Sequence, residues 1–559
     1  MTIYIYTGTH TTDRRLRYIR LHQIQTSFGK QRRHFQIRIM GRREETCKMH
    51  CAVVLRLLLI FLPAMVCGQG CAPKNYGTNK VVCVCNATYC DNLHPPEELL
   101  QPGYYLQYTS TQTGKRLVPI SMQMSKKAPS TGDVWKVTSS KQYQEIIGFG
   151  AAITDSVGIN IGSLEKDVRE SLLNQYYGPE GIGYTLVRVP LGGTDFSTRF
   201  YTYDDGTADP TLSRFKLADE DYKYKLPYLK YIKQLSNPRV VTVPWSPPEW
   251  MIEGRNGTEG FTRLKDIYYQ VYAEYFVNFL NAYQKEGINF WGLTLQNEPG
   301  NGYYVYFGIN SCGYSPEEQR NFIANNLGPT LQKNNFGNIV IMAGDDQRTF
   351  LPESAQVVLD NPAASKFVSG TAVHWYFDDQ YPASRLTKLH DLFPDKFILY
   401  TEASFIPDSG SPAVLFGDWG RAERLSKDIL DVLNHWVTGW IDWNLALNTI
   451  GGPTYLNNNL DSPIIVNSTA NEFYKQPIFY SLAHLSKFVP PGSKRIQLNS
   501  TAESGVDNVA FLRPDNIVAV VLLNSKDDAK KISLQTDAGS YISITVAAHS
   551  LNTIIYNKT

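Results

Sequence analysis

The sequence predicts a (β/α)8 TIM barrel carrying an additional β-sandwich-like domain formed by N- and C-terminal segments. Between about Ile146 and Asn448, eight apolar, β-rich runs alternate with helical stretches, the order that parallel strands joined by crossover helices require. After Lys487 the pattern changes to short strands with turn residues between them, as in NVAFLRPDNIVAVVLLN, where PDN reads as a hairpin turn. Residues 71–145 are also strand-like and loop-rich, and because a barrel needs none of them they are expected to pack beside the C-terminal β domain. The boundaries read from these changes are a basic leader and signal segment over 1–67, a disulfide-stapled β segment over 71–145, the catalytic barrel over 146–487 and the C-terminal β domain over 488–559.

Taken in order, the strand runs are IIGFGAAIT at 146, GYTLVRVP at 183, RVVTVPW at 239, FWGLTLQ at 290, NIVIMAG at 338, FVSGTAVHWY at 367, FILYTEAS at 397 and GWIDWNLAL at 439. Helical stretches fill the gaps. Ser163 is read as capping a helix with Leu164, Val168 and Leu172 on one face and Gly178 at its end. A longer helix is expected from Asp266 to Gly287, and Ser315, Pro316 and Glu318 supply an N-cap, a first-turn proline and a capping box. No Gly-rich phosphate loop opens any unit, which disfavours an open doubly wound sheet.

The N-terminus reads differently. Its first fifty residues hold eleven Lys and Arg against three acids, in a chain of 559 residues whose net charge is +2. The remainder is therefore slightly acidic, and no broad basic surface argues for nucleic acid. From Ala52 to Val66 runs AVVLRLLLIFLPAMV, long enough for the hydrophobic region of a signal peptide and short for a membrane span. Either translation begins near Met40 or Met49, or the leader makes this an uncleaved anchor; cleavage soon after Cys67 is the expectation.

Cys71, Cys83, Cys85 and Cys90 then cluster within twenty residues, the density of a disulfide-stapled segment in an oxidising compartment. Zinc is the weaker alternative, because CVC spacing suits a tetrahedral site poorly and no close His pair accompanies it. Cys312 is left over and is read as a buried small apolar residue. Asn86, Asn256, Asn467, Asn499 and Asn557 each begin an Asn-X-Ser/Thr sequon, as expected of a chain bound for the secretory pathway.

Barrel enzymes place their chemistry at the C-terminal ends of the strands. Read that way, strand two ends near Asp195, strand three at Trp245, strand four at Asn297 and Glu298, strand six at His374 and Tyr376, strand seven at Glu402 and strand eight at Trp443. Two carboxylates, several aromatic rings and an amide around one rim suit a sugar: rings stack on pyranose faces and polar groups read hydroxyls. Glu298 and Glu402 can divide the acid and nucleophile roles. Glu298 follows an apolar strand directly and precedes Pro299, which restricts its backbone. Asp195, Asp442, Trp245 and Trp443 could equally be packing residues, and His374 is read as a buried, hydrogen-bonded ring rather than a catalyst. No cofactor is expected: HExxH and dense His/Asp clusters are absent, and so is the GxSxG elbow of a serine hydrolase.

GFGAAITDS at 148, RVPLGGTDFS at 188, PWSPPEW at 244, QNEP at 296, HWYFD at 374, YTEAS at 400, GWIDWNLALNTIGGP at 439, DSPIIVN at 461 and FYKQPIFYSLAHLSKFVPPGS at 473 resemble the glucosylceramidases of glycoside hydrolase family 30, as does CVCNATYC at 83. The resemblance runs from about Cys71 to the C-terminus. It implies a retaining β-glucosidase acting on glucosylceramide, with Glu298 as acid/base and Glu402 as nucleophile. It further implies a glucose subsite of Asp195, Trp245, Asn297, Tyr376, Trp443 and Asn458, support from Arg188, and disulfides Cys71–Cys83 and Cys85–Cys90. A saposin-type activator, an anionic lipid surface and a lysosomal or secreted location are implied with it. Ser404 stands where vertebrate members have Cys, and the loop GNGYYVYFGINSCGY after Glu298 departs from the family, so its Tyr303, Tyr304, Tyr306 and Phe307 are read as facing ceramide or membrane. The rival readings are a family-30 hydrolase of a polysaccharide such as xylan or β-1,6-glucan, and a non-catalytic glycolipid-binding relative.

Overall fold

The computed structural model describes residues 70–93, 100–130, 132–254, 262–303, 309–500 and 504–558. The basic leader, the apolar segment Ala52–Val66, Cys67, Asn256, Tyr304, Tyr306 and Phe307 lie outside the described residues. Eight strands form a closed barrel in chain order: β1 (Gly148–Ala152), β2 (Leu186–Leu191), β3 (Arg239–Pro244), β4 (Phe290–Thr294), β5 (Val340–Gln347), β6 (Val368–His374), β7 (Phe397–Glu402) and β8 (Val437–Asn444). All neighbours are parallel, and β8 pairs with β1 to close the ring. Each strand falls within or beside one of the eight apolar runs.

The floor of the barrel is a layer of inward side chains: Leu186, Val241, Met342, Ala372, Leu399 and Ile441. Alternation along a strand returns the next inward residue two positions later. Those positions are Arg188, Val243, His374, Thr401 and Trp443, with Trp245 two beyond Val243, so an apolar plug gives way to chemistry toward the C-terminal ends.

Helix Lys166–Tyr177 covers the expected second helix, but Ser163 does not cap it; Ser163 is the C-cap of an earlier helix, Asp155–Gly162, whose N-cap is Thr154. That earlier helix has two glycines within DSVGINIG and little intrinsic propensity. Tertiary contact explains it, since a Cβ on Gly158 would collide with the Tyr224 backbone. The long helix begins with a 3-10 turn at Asp266–Tyr268 and runs over Tyr269–Lys285. The Ser315–Glu318 capping box forms as expected on Pro316–Phe322.

The β domain is a nine-stranded sheet in the order Tyr541–Val546, Lys530–Gln535, Asp133–Glu145, Lys494–Asn499, Asp507–Leu512, Ile517–Asn524, Ser550–Asn557, Tyr104–Thr111 and Val118–Gln123. The hairpin before Ile517 turns at Pro514–Asn516, with Asn516 at φ 61. Strand Ile517–Asn524 is buried throughout. Its Val518, Val520 and Leu522 meet Trp135, Ile542 and Ile554 inside the sheet's own core. Its Ala519, Val521 and Leu523 join the core that includes Ile429 and Leu433 of the helix between β7 and β8.

The expected 71–145 segment divides. Residues 104–145 enter the nine-stranded sheet, whereas Pro73–Asn75 and Val81–Cys85 pair into a separate five-stranded sheet with Glu472–Lys475, Ile464–Asn467 and Ala446–Asn448. The reason is register: Cys83 and Cys85 lie opposite Lys475 and Phe473, so this ribbon is bound to the loop after β8. Disulfides join Cys71 to Cys83 and Cys85 to Cys90, and Cys312 is a free, buried thiol. Asn86, Asn467, Asn499 and Asn557 are half-buried or exposed. No helix among the described residues is long and apolar enough to cross a membrane.

Candidate active site

Arg188 sits at the centre of the C-terminal end of the barrel and is fully buried. An uncompensated buried guanidinium would cost several kcal/mol, so its partners are obligatory. It donates to Glu402 Oε2 at 2.5 Å, Asn297 Oδ1 at 2.7 Å and Asp345 Oδ2 at 2.9 Å. Its guanidinium carbon also lies 5.0 Å from the Trp245 ring and 5.5 Å from that of Trp443. Those two rings stack on each other with centroids 5.0 Å apart.

Asp345 ties this corner to the rest. It accepts from Thr294 at 2.7 Å and from Thr401 at 2.6 Å, and faces His374 Nε2 at 3.2 Å. Burial works against its charge, yet Arg188 and His374 hold its carboxyl well below the ordinary range. His374 shows the converse. Burial opposes its charge too, but Glu402, Asp345 and Glu298 outweigh that and push it up to about 10. The ring is therefore an imidazolium across the working range, donating from Nδ1 to Glu298 Oε1 at 2.9 Å and from Nε2 to Asp345.

Glu402 closes β7, where the register slips by one residue between Val373↔Tyr400 and His374↔Glu402. The slip lets consecutive residues serve one cluster, Thr401 toward Asp345 and Glu402 toward Arg188. Tyr376 donates to Glu402 Oε1 at 2.8 Å, and burial raises its phenol well above the ordinary value, so it stays a neutral donor.

Glu298 lies beyond the end of β4 and is not held extended by the proline that follows: its φ is 42. A non-glycine residue in the left-handed region carries strain that its surroundings must compensate. Its N–H donates to Asp345 O at 2.9 Å, and a 3-10 turn over Pro299–Tyr303 begins at once. Its Oε1 accepts from Gln347 Nε2 at 2.7 Å as well as from His374, and its Oε2 accepts from Asn301 Nδ2. One oxygen each from Glu298 and Glu402 and a nitrogen of His374 lie within 4.8 Å of one another. A cation could use that spacing, but His374 spends both nitrogens as donors and has no lone pair left for a metal.

This cluster opens through Glu298 and Glu402 onto a cavity of about 1730 Å³, above the usual range for a small-molecule site. Asp195, Trp245, Asn297, Glu298, Tyr376, Glu402, Trp443 and Asn458 all lie on its wall. Asn458 donates to Asp195 at 2.7 Å. Burial pushes Asp195 up to about 7, Asn458 pulling the other way and Glu402 and Glu298 adding to the rise. Toward solvent the lining becomes apolar: Tyr303, Phe350, Phe377, Tyr381, Ile406 and Ile450 stand there, between 36% and 66% exposed. Behind this mouth, Asp378 accepts from Tyr400 at 2.6 Å and faces Arg348 Nε at 3.2 Å. Burial, reinforced by Asp428, pushes Asp378 up to about 9. Asp442 is buried outside the cavity wall, beside Trp440. Burial of Cys312 raises its thiol far above the ordinary value, an inert packing residue rather than a nucleophile.

The sequence reading missed Asp345, Asp346, Gln347 and Asn301. The same strand-end rule applied to NIVIMAG reaches the first three directly, since GDDQ follows that run. Asn301 carried no signal beyond its place in the turn.

Comparison with known proteins follows the same outline. The glycosyl hydrolase family 30 TIM-barrel domain matches residues 146–489 and the family's beta sandwich domain matches residues 492–554. Lysosomal acid glucosylceramidase of Mus musculus is 39% identical over 498 residues, covering 88% of this chain and 96% of that protein. Endo-1,6-beta-D-glucanase neg1 of Aspergillus fumigatus is 29% identical, covering 76% and 88%. Among solved structures, SrfJ from Salmonella typhimurium superposes with a TM-score of 0.75 at 26% identity, covering 82% of this chain and all of that one.

Proposed function

The chain belongs to glycosyl hydrolase family 30, and from that premise we propose that it hydrolyses the β-glucosidic bond of glucosylceramide with retention of configuration. The observation that carries the mechanism is the approach of Glu298 and Glu402 carboxylate oxygens to within 4.8 Å. That nearest approach suits the pair of carboxyl groups about 5 to 5.5 Å apart that a retaining glycosidase uses. Glu402 attacks the anomeric carbon while Glu298 gives a proton to the departing oxygen. Water then loses a proton to Glu298 as it displaces Glu402.

In this reading a single glucose lies on Trp245 and Trp443, with Asp195, Asn458 and Tyr376 around it. Asn297 has its Oδ1 engaged by Arg188, which leaves Nδ2 to read a hydroxyl. The apolar mouth suits a lipid aglycone: exposed Ile406 and Ile450 beside Phe377 and Phe350 would rest on acyl chains or a membrane surface. An anionic lipid surface and a saposin-type activator are the partners that go with such a substrate. A lysosomal or secreted location, reached through the expected signal segment, completes the proposal. The likeness to an endo-1,6-β-glucanase supports a second reading, an enzyme of β-1,6-glucan.

One assay separates the readings. Purified protein is offered glucosylceramide in anionic vesicles, galactosylceramide, β-1,6-glucan and xylan at acidic pH, with product configuration followed by NMR. Glucosylceramide is expected to be cleaved with β-glucose appearing first. Cleavage of a polysaccharide alone, or of none of the four, rejects the lipid reading.

A further inference from the structure

The turn after β4 places Asn301 three residues beyond Glu298 in a 3-10 segment, where residues i and i+3 eclipse. Asn301 is half-buried, lines the cavity, and is anchored through its own N–H, which donates to Glu298 O at 2.9 Å. The turn is fixed from below by Asp346, whose Oδ2 accepts from Gly300 N at 2.9 Å. Asn301 is therefore held against Glu298 by backbone on both sides.

The hydrogen-bond inventory of Glu298 then distinguishes its two oxygens. Oε1 accepts from the His374 imidazolium at 2.9 Å and from Gln347 Nε2 at 2.7 Å. An oxygen facing a cationic N–H and a second N–H is a poor place for a proton. Oε2 has the Asn301 amide as its partner and no imidazolium beside it. An amide can present either end: Nδ2 donates to an ionised oxygen, and after a half-turn about the terminal bond Oδ1 accepts from a protonated one.

We propose that the transferable proton of Glu298 resides on Oε2, and that Asn301 is a positioning residue that holds this oxygen in both halves of the reaction. The inference rests on the reading of Glu298 as acid/base. In the first half, the Oε2–H bond breaks and the proton passes to the glycosidic oxygen as its bond to the anomeric carbon breaks and Glu402 forms the ester. Asn301 then donates from Nδ2 to the new carboxylate. In the second half, water gives its proton to Oε2 while its oxygen replaces Glu402 at the anomeric carbon, and Asn301 turns back so that its Oδ1 accepts from Oε2–H until the next glycosidic oxygen takes its place as acceptor. The demand on Asn301 is adaptability, which a charged residue could not meet.

The test compares Asn301→Leu, branched in the same way but larger and unable to hydrogen-bond, with the near-isosteric Asn301→Asp, on an alkyl β-glucoside and on a dinitrophenyl β-glucoside. Asn301→Leu is expected to lower kcat/KM about tenfold on the alkyl glucoside and less than about threefold on the aryl one, whose departure needs no proton. Asn301→Asp sets a second carboxyl against Oε2 and should move the alkaline limb of the pH profile up by about one unit. Equal losses on both substrates with Leu mark a merely structural role and overturn the proposal. An unmoved alkaline limb with Asp places the proton on Oε1 and overturns it as well. Glu298→Gln is run alongside: if that variant shows no dependence on leaving group, the acid/base reading itself fails; if it does and the Asn301 variants do not, only the present proposal fails.

Discussion

The two glutamates occupy opposite kinds of surroundings. Glu402 ends a regular strand and faces a fixed guanidinium and a phenol. Glu298 sits past its strand in a left-handed turn, held by an imidazolium and two amides. A buried Arg commits its partner to one charge state, while amides tolerate two. Under the proposed mechanism the difference has a use: the group that attacks lies beside Arg188, and the group that gains and loses a proton lies beside amides that can present either end.

The comparison breaks most completely at Glu402. Glu402→Gln should lower turnover by about 10⁴-fold or more and abolish covalent labelling by a cyclitol epoxide, because an amide is too weak to form the ester. Mass spectrometry that finds the label on another residue reverses the assignment. Glu298→Gln should cost about 10²- to 10⁴-fold on alkyl glucosides and far less on dinitrophenyl glucoside, read from steady-state kcat/KM on the pair.

Arg188→Met strips the cation from one corner and leaves Glu402 and Asp345 as buried charges. Chemical denaturation should register a loss of about 3–5 kcal/mol, and restoring charge with Lys should recover only part of it, since the three-way fork cannot be rebuilt.

The smallest effect is on pH and stability. Burial pushes Asp195, Asp346 and Asp442 up to about 7, with Glu402 and Glu298 adding to the rise at Asp195 and Glu298 at Asp346, and pushes Asp378 up to about 9. A carboxyl raised in the fold contributes fully below its ordinary 3.8 and loses that contribution as pH climbs through the raised value. His374, also raised, contributes fully below 6.5 and fades toward about 10. Asp345, depressed, acts only at the acid end, losing its contribution below 3.8. The thermal midpoint should thus be highest near pH 4 to 5 and several degrees lower at pH 8. Asp428→Asn, which removes one member of the pair behind the mouth, should shrink that fall. A midpoint that rises from pH 5 to 8 contradicts this account.

The barrel was legible because its strands are buried on both faces and read as continuous apolar runs, each closed by turn residues. The strand-end rule reached Glu298, Glu402, Trp245, Trp443 and His374 for the same reason. It did not reach the function of His374. The ring is buried and hydrogen-bonded as read, but its partners, Glu298 and Asp345, and the rise in its proton affinity come only from the three-dimensional convergence of carboxylates. The helix at Asp155 escaped because its stability comes from packing of Gly158 on Tyr224 rather than from propensity. The left-handed Glu298 contradicts the extended geometry that its proline suggests, and such conflicts between local preference and fold concentrate at functional sites.

The strand Asp133–Glu145 pairs with Lys494–Asn499 on one side and Lys530–Gln535 on the other. The whole barrel lies between these partners in the chain. During synthesis, at roughly 5 to 20 residues per second, the early strand waits about twenty seconds to more than a minute for its neighbours to leave the ribosome. Throughout that interval Trp135, Val137 and the two edges beside them stand uncovered, and by its end the whole barrel has been made. Such an edge is a template for wrong pairing, so the segment from Lys494 to the C-terminus acts as a lid on a nascent chain whose barrel is already made. Stop codons or frameshifts near the C-terminus should accordingly produce aggregates in which the residues of the barrel pocket are all present in sequence.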